Sequence, residues 1–96
     1  MDIELLKDKT SRIFEQHGII RASVFGSVAR GEDKEGSDVD LLIEPKRPYG
    51  LVQAVSLKRG LEAVLNKPVD VVEYGTIKPS IEKNILKDQT VIYEQR

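Results

Sequence analysis

The chain has no cysteine, so disulfides and thiolate metal ligation are excluded. It has no apolar run approaching the roughly 20 residues that a membrane-spanning helix needs. Its first residues, MDIELLKDKT, are charged where a secretory leader would be apolar. These readings predict a soluble, cytoplasmic protein with no membrane partner. Positive charge is not in surplus either: 15 Lys plus Arg face 16 Asp plus Glu, for a formal net charge of −1. A large nucleic-acid footprint normally carries a basic excess, so direct nucleic-acid binding is not expected. No repeat, low-complexity stretch or linker interrupts residues 1–96, and that length predicts one domain with one modest core.

What is present is an alternation of helical and extended patterns. Residues 2–17 read as a helix, with Ile3, Leu6, Ile13 and Phe14 near one face, Leu5 flanking it and His17-Gly18 closing it. Residues 19–26, IIRASVFG, read as a strand ending in a glycine turn. Ser27 is expected to cap a short helix, VAR, which Gly31 ends. Residues 37–44 form the second strand. Its period of two puts Val39, Leu41 and Ile43 on one face and Asp38, Asp40 and Leu42 on the other. The run Leu41–Ile43 implies a central strand covered on both sides beyond the aspartates.

Pro45 and Pro48 stop that strand, and Lys46, Arg47 and Tyr49 read as a solvated loop. Residues 51–66 read as a helix with Ala54, Leu57, Leu61, Val64 and Leu65 as its apolar stripe. Gly60 inside it suits a close backbone approach. Residues 68–74 form a third strand, with Asp70 and Val72 on the face opposite Val69 and Val71. Residues 79–87 form a short helix with Ile81, Ile85 and Leu86 inward, and residues 90–94 an edge strand. This alternation predicts an α/β fold with helices packed against a sheet.

Three features carry chemistry. Asp38 and Asp40 lie two apart on a strand, so their Cα atoms are about 6.5–7 Å apart and both side chains share a face. Such a pair can converge on a hard cation such as Mg2+, which usually takes one or two carboxylates plus substrate phosphates. On its own, Asp-x-Asp also fits two solvated residues at a strand end. Gly26-Ser27 opens a helix after a strand, where unpaired N–H groups suit phosphate, and Arg30 in the same short helix can add a charge-assisted contact. Gly-Ser alone is equally an ordinary turn. Asp70 sits among valines, where a charge is costly unless it is paired, metal-bound or turned to solvent on an edge strand. It can complete a carboxylate triad with Asp38 and Asp40, or act as a base toward a hydroxyl.

Gly-Ser, ten intervening residues and Asp-x-Asp, within FGSVARGEDKEGSDVDLLIE, resemble the signature of the polymerase-β nucleotidyltransferase superfamily. The R-G-E and S-D-x-D-L surroundings are similar to its smallest members, the minimal nucleotidyltransferase (MNT) family, and the resemblance extends to the later strand with its single aspartate. It implies a minimal, mixed-sheet version of the fold and a Mg2+-dependent transfer of AMP from ATP. It further implies that Asp38, Asp40 and Asp70 form the catalytic and metal-holding set, that Gly26 and Ser27 hold the terminal phosphates, and that Arg30 belongs to the nucleotide site.

Family members of this size act as antitoxins, silencing a HEPN ribonuclease toxin by placing AMP on its tyrosine. The expected partner is therefore a HEPN-type protein in a hetero-oligomer. Two other readings stand beside it: a non-catalytic module that silences its partner by occlusion, and a nucleotidyltransferase acting on a small molecule.

Overall fold

A computed structural model describes residues 2–34 and 36–95, together with the backbone but not the side chain of Ile81, so the expectation that Ile81 turns inward lies outside the described residues. The elements run α1 (Ile3–Gln16), β1 (Ile19–Phe25), α2 (Gly26–Ala29), β2 (Val39–Pro45), α3 (Leu51–Leu65), β3 (Val69–Glu73), a 3-10 turn (Tyr74–Thr76), α4 (Pro79–Asp88) and β4 (Thr90–Glu94). The four strands form one sheet in the order β3-β2-β1-β4. β1 pairs antiparallel with β2 and with β4, while β2 and β3 are parallel, joined through α3. The sheet is therefore mixed, β2 is central and β4 is an edge, as expected.

Register sorts the two faces. On one, Val39, Leu41 and Ile43 of β2 lie beside Val24 and Ala22 of β1 and Val69 of β3, all buried. Helices α1 and α3 pack against the sheet and each other, bringing Leu6, Phe14, Leu57 and Leu61 into the same core. On the other face, Asp40 and Leu42 lie beside Phe25 and Ser23 of β1 and Asp70 and Val72 of β3. Leu42 is fully buried, so the apolar cover reaches to the residue after next from Asp40 and stops there. Farther along, the Ser23 hydroxyl and the Tyr74 hydroxyl are 2.7 Å apart, and Tyr74 donates to Gln89 Oε1 at 2.7 Å. This chain of polar contacts pins the start of β4 to the far end of β3.

Several local expectations need correction. Val64 and Leu86, expected to turn inward, are exposed, and so is the flanking Leu5; the buried stripes are narrower than the sequence pattern, with Leu6, Thr10 and Phe14 on α1 and Leu57, Leu61 and Leu65 on α3. Thr10 takes a core position because its hydroxyl donates to the Leu6 carbonyl at 2.7 Å, one turn back. β2 starts at Val39 rather than Ser37 and keeps Pro45 as its last residue, opposite Ile19. Ser27 does not cap α2; the helix starts at Gly26 and Phe25 holds the cap position.

Gly60 does face the close crossing of α1 and α3: a Cβ there would meet Ile13 Cγ2 at 3.5 Å. His17 ends α1 as expected. Its Nδ1–H donates to the Ile13 carbonyl at 2.8 Å, which leaves Nε2 to accept from Ser56 at 3.2 Å. It is thus a tie between two helices.

The start of α1 is fixed by Asp2, whose carboxylate accepts from the Glu4 N–H at 2.9 Å. Asp2→Ala is expected to lower stability by about 1 kcal/mol, the usual value of an N-cap, as read by urea denaturation. No change in the denaturant slope is expected.

Candidate active site

The site is built where β1 gives way to α2. Gly26 has φ +73°, a conformation that side-chain-bearing residues rarely adopt. A Cβ there would lie 2.5 Å from Asp40 Oδ2, so glycine is what lets the turn pass over the Asp40 carboxylate. Beyond it, α2 is held by Arg30 N–H to the Gly26 carbonyl at 3.2 Å and Glu32 N–H to the Ser27 carbonyl at 2.8 Å. Gly31, at φ +70°, ends it. Gly26 and Asp40 are thus brought together, with Ser27 following in the first turn.

The acidic residues come from the two parallel strands. Asp40 is half-buried and stands directly across from Asp70, with Phe25 on its other side. Asp38 and Asp70 are exposed. In parallel register, residues opposite one another share a face, so Asp40 and Asp70 project to the same side of the sheet. The backbone tie that holds this register at its start is Val39 N–H to the Pro68 carbonyl at 3.0 Å. Burial pushes the Asp40 carboxyl above its ordinary range, the negative charges of Asp70 and Asp38 push it further, and Arg30 opposes them.

An acidic cluster whose charges oppose one another is a site with a deficit of cations. Two facing carboxylates, Asp40 and Asp70, beside a glycine-walled turn fit a hard divalent ion. Among the described residues, however, no three acidic or histidine side chains are gathered into a ready-made metal cage. The fit is to an ion held partly by protein and partly by substrate oxygens.

Arg30 stands at the end of α2 rather than inside it. It caps the C-terminus of α2, exposed, with Nε 3.2 Å from Glu32 and Nη1 3.0 Å from Asp88 of α4. Its guanidinium therefore stands beside the turn already paired with two carboxylates. Asp88 lies 58 residues away in sequence, and no local pattern announces that pairing. Phe25, Gly26, Arg30, Asn84, Ile85 and Asp88 together enclose a hollow of about 160 Å3 against the turn.

The loop after β2 is also more structured than a solvated turn. Arg47 bonds Glu73 at 2.9 Å, and Tyr49 is half-buried. Burial and the nearby Glu73 charge push the Tyr49 phenol up, and Arg47 opposes them. Tyr49 and Lys58 line a cleft together with Asp70, on the outer flank of β3. Lys58 lies off the apolar stripe of α3. Nothing in a helical pattern says that its helix begins beside the third aspartate.

Against this geometry, the likenesses to known proteins are specific. The family model described as "Polymerase beta, Nucleotidyltransferase" matches residues 8–96. A candidate protein adenylyltransferase of Methanocaldococcus jannaschii is 46% identical over 88 residues, covering 92% of this chain and 95% of that protein. The solved structure of a candidate minimal nucleotidyltransferase superposes with a TM-score of 0.79 at 35% identity, covering 94% of this chain and 95% of the other. A chain from the complex of tri-AMPylated HEPN toxin with MNT antitoxin of Shewanella oneidensis has the same fold, with a TM-score of 0.74. Its identity is 14%, and the match covers 98% of this chain and 74% of that one.

Proposed function

Because this chain belongs to the polymerase beta nucleotidyltransferase family, we propose that it transfers AMP from ATP to a tyrosine hydroxyl of a HEPN-type toxin and thereby acts as its antitoxin. The observation that carries the reading is the placement of Asp40 between Asp70, across β3, and the Gly26 turn, with Asp38 two residues before it. The AMP-bearing toxin of the Shewanella complex supports the choice of a HEPN-type partner.

In this reading Gly26 and Ser27 receive the terminal phosphates on backbone N–H groups and a hydroxyl. Asp38 and Asp40, joined by Asp70 on the acceptor side, would hold Mg2+ with the triphosphate oxygens completing its shell. The ion, when bound, neutralises charge that develops on the α-phosphate and the departing pyrophosphate. The tyrosine oxygen forms a bond to the α-phosphorus, the bond from that phosphorus to the bridging oxygen of the β-phosphate breaks, and pyrophosphate leaves. The phenolic proton passes to Asp70, which is exposed and therefore open to an incoming hydroxyl. Arg30 reaches phosphate by leaving Glu32 or Asp88, both exposed-side pairs of low cost to open.

The test is transfer in solution. The full chain, a purified HEPN partner, Mg2+ and ATP are expected to give a partner heavier by one AMP, on tyrosine, with pyrophosphate released in equal amount. A partner that is silenced without any mass change would replace this reading with silencing by occlusion.

A further inference from the structure

Val55 belongs to two surfaces at once. It lines the cleft of about 190 Å3 on the outer flank of β3, with Ala54, Tyr49, Lys58, Asp70 and Val71. It also borders an open groove with Leu51, Val52, Ser56 and Arg59. Leu51 is 81% and Val52 77% exposed at the start of a helix whose later leucines are buried. Clustered apolar exposure of this kind on a small soluble fold marks a contact surface.

We propose that this cleft is the acceptor subsite: it takes the phenol ring of a tyrosine carried on another protein, between Tyr49, Val55 and Val71, and delivers its hydroxyl to the Asp70 edge of the site. The inference rests on the nucleotidyl-transfer reading and adds where, and in what form, the acceptor enters.

Topology supplies the first argument. The strand order β3-β2-β1 places the Gly26 turn, at the end of β1, on one flank of Asp40 and the cleft, outside β3, on the other. In-line displacement at phosphorus needs attacking and leaving oxygens on opposite sides, so with phosphates at Gly26 the acceptor comes from the β3 side.

Size supplies the second. An apolar cavity of about 150 Å3 accommodates benzene, whereas whole small-molecule sites run to about 300–1,000 Å3. The cleft therefore has room for one aromatic ring. Its walls suit a ring: Ala54, Val55 and Val71 are apolar, and the Lys58 ammonium can stabilise phenolate character on the oxygen. Arg47 does not compete for that role, because it is already bonded to Glu73. The third argument is the groove itself. A free phenol has no use for Leu51 and Val52, but a protein segment presenting a tyrosine among apolar side chains covers both surfaces through Val55.

The experiment uses the isotope-labelled full chain, an ATP analogue blocked at the α–β bridge, Mg2+ and N-acetyl-L-tyrosinamide, followed by amide chemical shifts. The nucleotide is expected to move Gly26 and Ser27, and the tyrosinamide to move Tyr49, Val55, Lys58 and Val71. Val55→Asp is expected to weaken tyrosinamide about tenfold while leaving nucleotide affinity within about twofold. Val55 is 42% exposed, so the fold tolerates the change, and Ala54→Leu, which fills the cleft, is a second route to the same loss. If nucleotide binds but tyrosinamide shifts residues elsewhere, or N-acetyl-L-serinamide competes equally, this inference alone falls. If the nucleotide does not move Gly26 and Ser27, the reading beneath it falls as well.

Discussion

Asp40→Asn is expected to abolish AMP transfer and at the same time to raise the melting temperature of the metal-free protein. The loss of transfer should be at least about a thousandfold, or about 4 kcal/mol, because in the proposed reaction the substitution removes a charge that would hold the cation. The gain in stability follows from the same charge. Asp40 lies directly across from Asp70 and is half-buried, and like charges facing one another across strands cost roughly 0.2–1 kcal/mol. For a domain of this length that corresponds to roughly 1–8 °C.

The pH dependence fixes the origin of the gain. Burial and the charges of Asp70 and Asp38 raise the Asp40 pKa in the folded state above its unfolded value. The folded protein therefore binds the proton more tightly than the unfolded chain. Stability from this group is fully present below the unfolded pKa of about 3.9 and is lost as pH rises through the higher folded value. The stability advantage of the asparagine variant should thus be full at pH 7 and shrink as pH is lowered toward 4. Thermal melts of both proteins across that range check it. Mg2+ with ATP should invert the order, stabilising the natural chain and not the variant. An asparagine variant that melts below the natural chain at pH 7 would remove charge repulsion from this account.

Gly26→Ala is expected to cost about 2–4 kcal/mol and to remove most transfer activity. Two penalties combine. A side-chain-bearing residue at φ +73° loses roughly 1–2 kcal/mol from backbone sterics alone. The added Cβ also falls 2.5 Å from Asp40 Oδ2, so the carboxylate must rotate away or the turn must open. Either movement disturbs the contact between the Gly26 turn and the acidic strand. Gly31→Ala provides the comparison. Its φ of +70° is nearly the same, but a Cβ there meets nothing within 4 Å. It should lose only the backbone part, about 1–2 kcal/mol. Denaturant titration of the two variants separates the strain of the turn from the collision with Asp40. Equal losses would mean that the collision relaxes without cost.

The architecture was legible in the sequence because its signals are local. Period-two valines and leucines mark β2, glycine and asparagine stop helices, and the Gly-Ser turn and Asp-x-Asp strand keep their spacing. What was hidden depends on contacts between distant segments. Ser27 reads as a cap, but the turn is tight enough that the helix starts one residue earlier, at Gly26, with Phe25 in the cap position. Arg30 reads as a phosphate ligand, yet its guanidinium pairs with Asp88 from α4 and with Glu32. Tyr49 and Lys58 carry no periodic signal, and only the return of β3 beside α3 makes them neighbours of Asp70. Asp70 itself fits both of its sequence readings: it is exposed on an edge strand, and it faces Asp40.

That last position has a consequence for folding as well as chemistry. β3 alternates Val69 and Val71 toward the helices with Asp70 toward the acidic face. A slip of one residue against β2 would swing the Asp70 carboxylate into the apolar layer now filled by Val69, where an unpaired charge is forbidden. The residue proposed to receive the acceptor's proton is thus also a peg against an outer strand docking out of step, so that the register of β3 and the alignment of the acidic pair are set together.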